Sequence, residues 1–168
     1  GVRERSIYTK VIRRGLTLVA LGLVYNGLFN LDFATLRLPS VLGRIGLAWM
    51  FAAMLFIRCG IRTRIALAAV ILVGYGLLLQ FVAAPDAAGA GPLTEAGNIV
   101  GYIDRTIMPA HLYGNRGFDP EGLLSTLPAI VTAMLGMFTG EFVRRSEEQI
   151  SGSRKALRMA AGAALLLV

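Results

Sequence analysis

The sequence predicts an all-α protein, a polytopic transmembrane helix bundle with four full spans, a truncated fifth and a long outer loop. Three observations predict it. The 168 residues are 55% hydrophobic and only 16% charged, and the mean hydropathy is +0.65. Several apolar runs approach or exceed the roughly 17–25 residues that a helix needs to cross a bilayer. Thirteen of the seventeen Lys and Arg fall in three clusters, Arg3 to Arg14, Arg58 to Arg64 and Arg144 to Arg158, each beside an apolar run. Every second connection is poor in them, which is the positive-inside pattern. The net charge of +7 therefore reports topology and an attraction to anionic headgroups rather than a nucleic-acid partner. Runs of this length also exclude a β-barrel, whose strands are about 10 residues long and alternate in polarity.

The elements follow in order. The first span covers about 11–30, with Arg13 and Arg14 at its mouth. The turn "NLDFATLRLPS" leads to a second span at 41–58, and Pro39 marks its start. Cys59 is the single cysteine, so it forms no intrachain disulfide and reads as a small filler at a helix end. The third span covers 65–84. The connection 85–122 is the longest polar stretch, with five carboxylates against two arginines, and it starts in "AAPDAAGAGP", a flexible opening. The fourth span, 123–143, carries Pro128, placed to kink it. The fifth, 156–168, is truncated. The whole of 1–168 reads as one transmembrane domain, an internal piece of a larger membrane protein, because it starts without Met and its last run is too short to cross.

The chemistry-bearing residues concentrate on the outer side. Arg44 stands about one turn inside the second span, where a charge either snorkels to the headgroups or turns inward and pairs. Arg37 lies seven residues earlier. Asn26 and Asn30, spaced i, i+4, share one face of the first helix and read as interhelical hydrogen-bonding groups. Gly136 and Gly140 form a G-x-x-x-G that suits close helix packing and leaves a homodimer open. The densest stretch is "IDRTIMPAHLYGNRGFDPEGLLSTLP". Asp119 reads as the N-cap of the fourth helix, Pro120 as its first residue, and Glu121 as a favourable charge in its first turn. Asp104, Arg105, His111 and Tyr113 have no such structural explanation. No metal-ligand spacing, nucleotide-binding glycine loop or Ser-His-Asp order is present.

Three blocks carry a resemblance: "RLPSVLGRI" at Arg37 to Ile45, "YIDRTIMPAHLY" at Tyr102 to Tyr113, and "FDPEGLLSTLP" at Phe118 to Pro128. Together they resemble the heparan-alpha-glucosaminide N-acetyltransferase family, whose bacterial members are many-span inner-membrane proteins. Ser40 and Gly43 stand where the family usually has Gly and Gln. The resemblance implies a bacterial inner-membrane protein with the start of this piece cytoplasmic and 85–122 periplasmic. It implies acetyl transfer from acetyl-CoA on the cytosolic side to a terminal glucosamine-type amino sugar or glycan on the other. The histidine regarded as catalytic in the family lies upstream of this piece, so that role is not carried onto His111, and no catalytic residue is assigned here. Arg44, Asp104, Arg105, His111, Tyr113, Asp119 and Glu121 are the candidate substrate or cofactor-site residues, supported by Arg37, Asn26 and Asn30. An amine must lose a proton during acetylation, and Asp104, His111, Asp119 and Glu121 are the candidate acceptors. Arg44 is expected to act electrostatically on the cofactor side.

Two other readings fit the same composition. A permease component for amino sugars or oligosaccharides would take up unmodified sugar without a CoA requirement. A non-catalytic membrane scaffold would tolerate simultaneous changes at Asp104, His111 and Asp119. For the acetyltransferase, this piece alone is expected to be inactive.

Overall fold

The computed structural model describes residues 2–34, 36–87, 89–109, 111–115, 117–146, 157 and 159–162. The described chain is mostly helical: α1 (Val2–Tyr25), α2 (Val41–Arg58), α3 (Ile61–Phe81), α4 (Ile99–Ile107) and α5 (Thr126–Ser146), with single 3-10 turns at Leu28–Asn30 and Tyr113–Asn115. Among the described residues there are no strands, only an isolated antiparallel bridge between Ala83 and Asn98. The chain divides into two compact units, Gly1–Met134 and Leu135–Val168. Most of the predicted fifth span lies outside the described residues.

Three helices are long and apolar enough to cross a membrane: Val41–Arg58, Ile61–Phe81 and the Thr126–Arg144 part of α5. This is a helical membrane protein. In α3 only Ala68 is buried, while Val70 and Val73 are 68% and 61% exposed. Such a surface suits lipid or other apolar helices and not water. The predicted first span does not join these three, for two physical reasons. Its helix starts at Val2 and so carries Arg3, Arg5, Lys10, Arg13 and Arg14 along its first half. It also ends at Tyr25, where Gly27 adopts a left-handed φ of 98° and Leu28–Asn30 tightens to a 3-10 turn.

Glycines set the α1–α2 packing. A Cβ on Gly15 would lie 2.8 Å from Met50 Cβ, and one on Gly46 would lie 2.7 Å from the Gly15 carbonyl. Further along, a Cβ on Gly22 would collide with Ser40 Oγ. The helices are therefore antiparallel and in backbone-close contact, as small residues permit in membrane proteins. Ser40 caps α2, its Oγ accepting from Gly43 N at 2.9 Å. This register sets Gly15 beside the middle of α2. Arg14 lies over the Trp49 ring at 5.3 Å, nine residues or about 13 Å short of Arg58 along the axis. A charge at mid-span costs roughly 2.5–3.5 kcal/mol on insertion scales.

The long outer connection is not one open loop. Ala84 N donates to Gly97 O at 2.7 Å and closes its base. Asn98 caps the nine-residue α4, its side chain accepting from Gly101 N at 2.6 Å. α4 buries Ile99, Val100, Gly101 and Asp104. At about 14 Å it is too short to cross a bilayer. α5 begins at Thr126 instead of 123, after turns stabilised by Ser125 Oγ, which donates towards the Gly122 and Pro120 carbonyls.

Candidate functional site

The three sequence blocks meet in one cluster within the first unit. Its centre is Asp119, which is fully buried. Arg37 grips it with both sides of the guanidinium, Nε to Oδ2 at 2.9 Å and Nη2 to Oδ1 at 2.7 Å. The backbone N–H groups of Tyr113 and Glu121 donate to Oδ2 and Oδ1, each at 2.9 Å. Four donors fill the four acceptor positions of a carboxylate. Burial alone would push the Asp119 carboxyl up, but the Arg37 guanidinium and the two backbone donors hold it below its ordinary value. Asp119 is therefore a fixed anion and not a proton acceptor. This overturns its reading as a helix N-cap, with Pro120 as first helical residue and Glu121 in the first turn, since α5 starts six residues later than Pro120.

Arg37 does more than bind Asp119. Nη2 also pairs with Glu121, and the guanidinium lies over the Tyr113 ring at 4.6 Å. Tyr113 remains 49% exposed. The segment carrying Arg37 is held from behind by Asn26, whose Nδ2 donates to the Arg37 and Pro39 carbonyls, both at 2.8 Å. Asn26 is thus a positioning residue. Asn30 is not brought to the cluster: both asparagines lie beyond the end of α1, so the expected common helical face does not exist.

Arg44 turns inward to the same cluster. Nη1 donates to Pro120 O at 2.9 Å and Nη2 to Ser125 O at 3.1 Å. It joins α2 to the outer connection, so the expected separation of a cofactor-side Arg44 from an acceptor-side loop does not hold. Arg105 is also explained structurally. It grips Asp86 with two bonds of 2.7 Å and donates to the Gly117 and Ala96 carbonyls. The Arg105 guanidinium holds the Asp86 carboxyl below its ordinary value. Asp86 escaped the sequence reading because it sits in the Ala/Gly-rich opening; the structure makes that opening an anchored segment.

Asp104 is fully buried. Its Oδ1 accepts from Leu123 N at 3.0 Å, while Oδ2 has no hydrogen-bond partner among the described residues. A Cβ on Gly122 would collide with this carboxyl, so glycine there is a packing requirement. Burial pushes the Asp104 carboxyl above its ordinary value, against the opposing Leu123 N–H. The group is suited to the neutral acid.

His111 is fixed at two points beside Arg37. Its Nδ1 lies 2.7 Å from Leu36 O, and Leu38 N donates to the His111 carbonyl at 3.2 Å. A carbonyl only accepts, so Nδ1 carries a proton in this arrangement, and Nε2 is the ring nitrogen that the backbone does not engage. Among the described residues Nε2 has no partner. Of the four candidate proton acceptors, Asp119 is saturated, Asp104 is sealed in the interior and Glu121 is paired with Arg37 through Oε2; His111 presents Nε2 on the side of the ring away from the bond that holds Nδ1. Among the described residues no group of His, Cys, Asp and Glu could hold a metal ion.

Compared with known proteins, the chain matches no family model and no curated protein.

Proposed function

We propose that this chain is the acceptor-side part of a transmembrane acetyltransferase, which moves an acetyl group from cytosolic acetyl-CoA to the amine of a glucosamine-type sugar on the opposite side. In this reading α1 is also a span, the region after α5 begins a fifth, and the start of the piece is cytoplasmic in a bacterial inner membrane. The observation that carries the reading is His111 Nε2, without a partner among the described residues, beside a central carboxylate, Asp119, that is saturated. Acetyl transfer to an amine needs one proton acceptor at the nitrogen. The amine attacks the acetyl carbonyl, the new C–N bond forms, the bond to the acetyl carrier breaks, and the amine proton passes to His111 Nε2. Acetyl-CoA is a substrate that supplies the activated acyl group. Glu121 and the exposed Tyr113 ring supply an acceptor and an apolar face for a sugar ring. Arg37, Asn26 and Asp119 hold them in place. The convergence of Arg37, His111 and Asp119 from three separate blocks supports the same reading.

The test uses membranes carrying the full-length protein, with the upstream region that the resemblance implies, labelled acetyl-CoA and a glucosamine-terminated acceptor. His111→Asn keeps a donor at the Nδ1 position and removes the Nε2 base. It is expected to lower the transfer rate about 100-fold, the lower end for a general base, with unchanged thermal stability. A normal rate in this variant overturns the role of His111. Uptake of unmodified sugar without CoA favours a permease.

A further inference from the structure

The acceptor-side cluster leaves a second stretch of the α1–α2 pair unexplained. There Arg13 and Arg14 border a groove of about 540 Å³ lined also by Thr17, Leu18, Ile45 and Trp49. Arg14 covers Trp49, and among the described residues neither arginine has a carboxylate partner. The Gly15–Met50 and Gly46–Gly15 contacts set this pair beside the middle of α2, well short of its Arg58 end. Two adjacent guanidinium groups beside an apolar helix are costly alone and persist by pairing or by drawing polar groups inward from the interface. The rest of the groove is apolar. Thr17 turns its hydroxyl away to the Arg13 carbonyl at 2.7 Å, leaving its methyl group, and Ile45 is 52% exposed.

We propose that this groove binds an anionic phospholipid, its headgroup phosphate held by Arg13 and Arg14 and one acyl chain lying along Leu18 and Ile45. The planar donors of arginine match phosphate oxygens in pairs. The apolar walls take a chain that a soluble phosphate lacks. A zwitterionic lipid brings its own cation to the same place, so the site favours a net-anionic headgroup. The site is independent of the acetyltransferase reading.

Trp49 is the single tryptophan in the sequence and reports directly on the groove. The chain is reconstituted in phosphatidylcholine vesicles holding an equal minority of either phosphatidylglycerol or phosphatidylcholine with brominated acyl chains. Quenching of Trp49 is expected to be at least about twofold stronger with the brominated anionic lipid, as for an electrostatically selected headgroup. The preference should disappear in an Arg13→Gln, Arg14→Gln variant and survive in part in the Lys pair, which keeps charge without the paired donors. Equal quenching by the two lipids in the unsubstituted protein overturns the proposal, whatever the variants do. A preference that persists in a helical Gln pair also overturns it. Relief of quenching by ADP, a soluble organic phosphate, overturns the lipid as the source of the anion.

Discussion

Replacing Arg37 by Met removes the partner of a carboxylate that water does not reach. The Arg37 side chain is 21% exposed and that of Asp119 0%. Taking one member from a buried pair costs about 3–5 kcal/mol. Two of the four bonds to Asp119 come from the backbone of Tyr113 and Glu121 and survive the change. Together with the partial exposure of Arg37 they set the expected loss at the lower end, about 3 kcal/mol. The loss depends on pH. The folded Asp119 carboxyl lies below its ordinary value: burial raises it, but Arg37 and the backbone donors prevail. A depressed folded value contributes stability above the unfolded pKa of about 3.9, which is lost as pH falls through the folded value. Without Arg37, burial leads and the folded value rises, so the variant is least handicapped in acid. Equilibrium unfolding in detergent should show the gap widest near neutrality and narrowing towards about pH 4. Adding Asp119→Asn to the Met variant should recover part of the loss, because the unpaired charge is gone. A loss below about 1 kcal/mol, as for exposed ion pairs, or a gap that does not change with pH, refutes the buried-clamp argument.

Other consequences are as direct. Asp104 has a raised folded value through burial, so its contribution is full below the unfolded pKa and is lost as pH rises through the folded value. Asp104→Asn should flatten the alkaline side of the stability profile, and a profile identical to the parent's counts against a neutral buried acid. Gly122→Ala should destabilise by about 1–3 kcal/mol through overpacking against Asp104, measured by thermal unfolding, and Asp104→Ala in the same chain should relieve it. Gly22→Ala should separate α1 from the Ser40 cap of α2 at a similar cost of about 1–3 kcal/mol. A cysteine crosslink rate between α1 and α2 that stays at the parent value would contradict the close approach.

The sequence made the long helices legible through run length. The α2 limits, 41 and 58, agree with the expectation because a proline-serine start and an arginine end bound one apolar run. For α3 the run alone misplaced the start, since Arg62 and Arg64 belong to the helix rather than to the connection. The start of α5 was misplaced for another reason. Asp119 and Glu121 have ideal capping chemistry, but Arg37, 82 residues away in sequence, takes the Asp119 side chain first. No local pattern announces such a partner. α4 was missed because a nine-residue helix inside a polar connection yields a weak periodic signal, although Asn98 followed by Ile99, Val100 and Ile103 is a legible start. Most of the candidate residues converge, Asn30 excepted, and their roles separate only with geometry. Asp119 and Arg105 proved to be anchors, and only the bond from His111 Nδ1 to Leu36 shows which ring nitrogen the backbone does not engage.

The Arg37–Asp119 clamp also counts membrane crossings. Its two residues meet on one side of whatever bilayer the protein occupies, so the chain between them must cross an even number of times. Two of the apolar helices, α2 and α3, lie in that interval, and α4 is too short to traverse. Either both helices cross or neither does. A nascent chain that threads only one of them leaves Arg37 and Asp119 on opposite faces, each without its partner. The clamp is therefore a parity check on insertion, closing when α2 and α3 cross as a pair and staying open when one crosses alone.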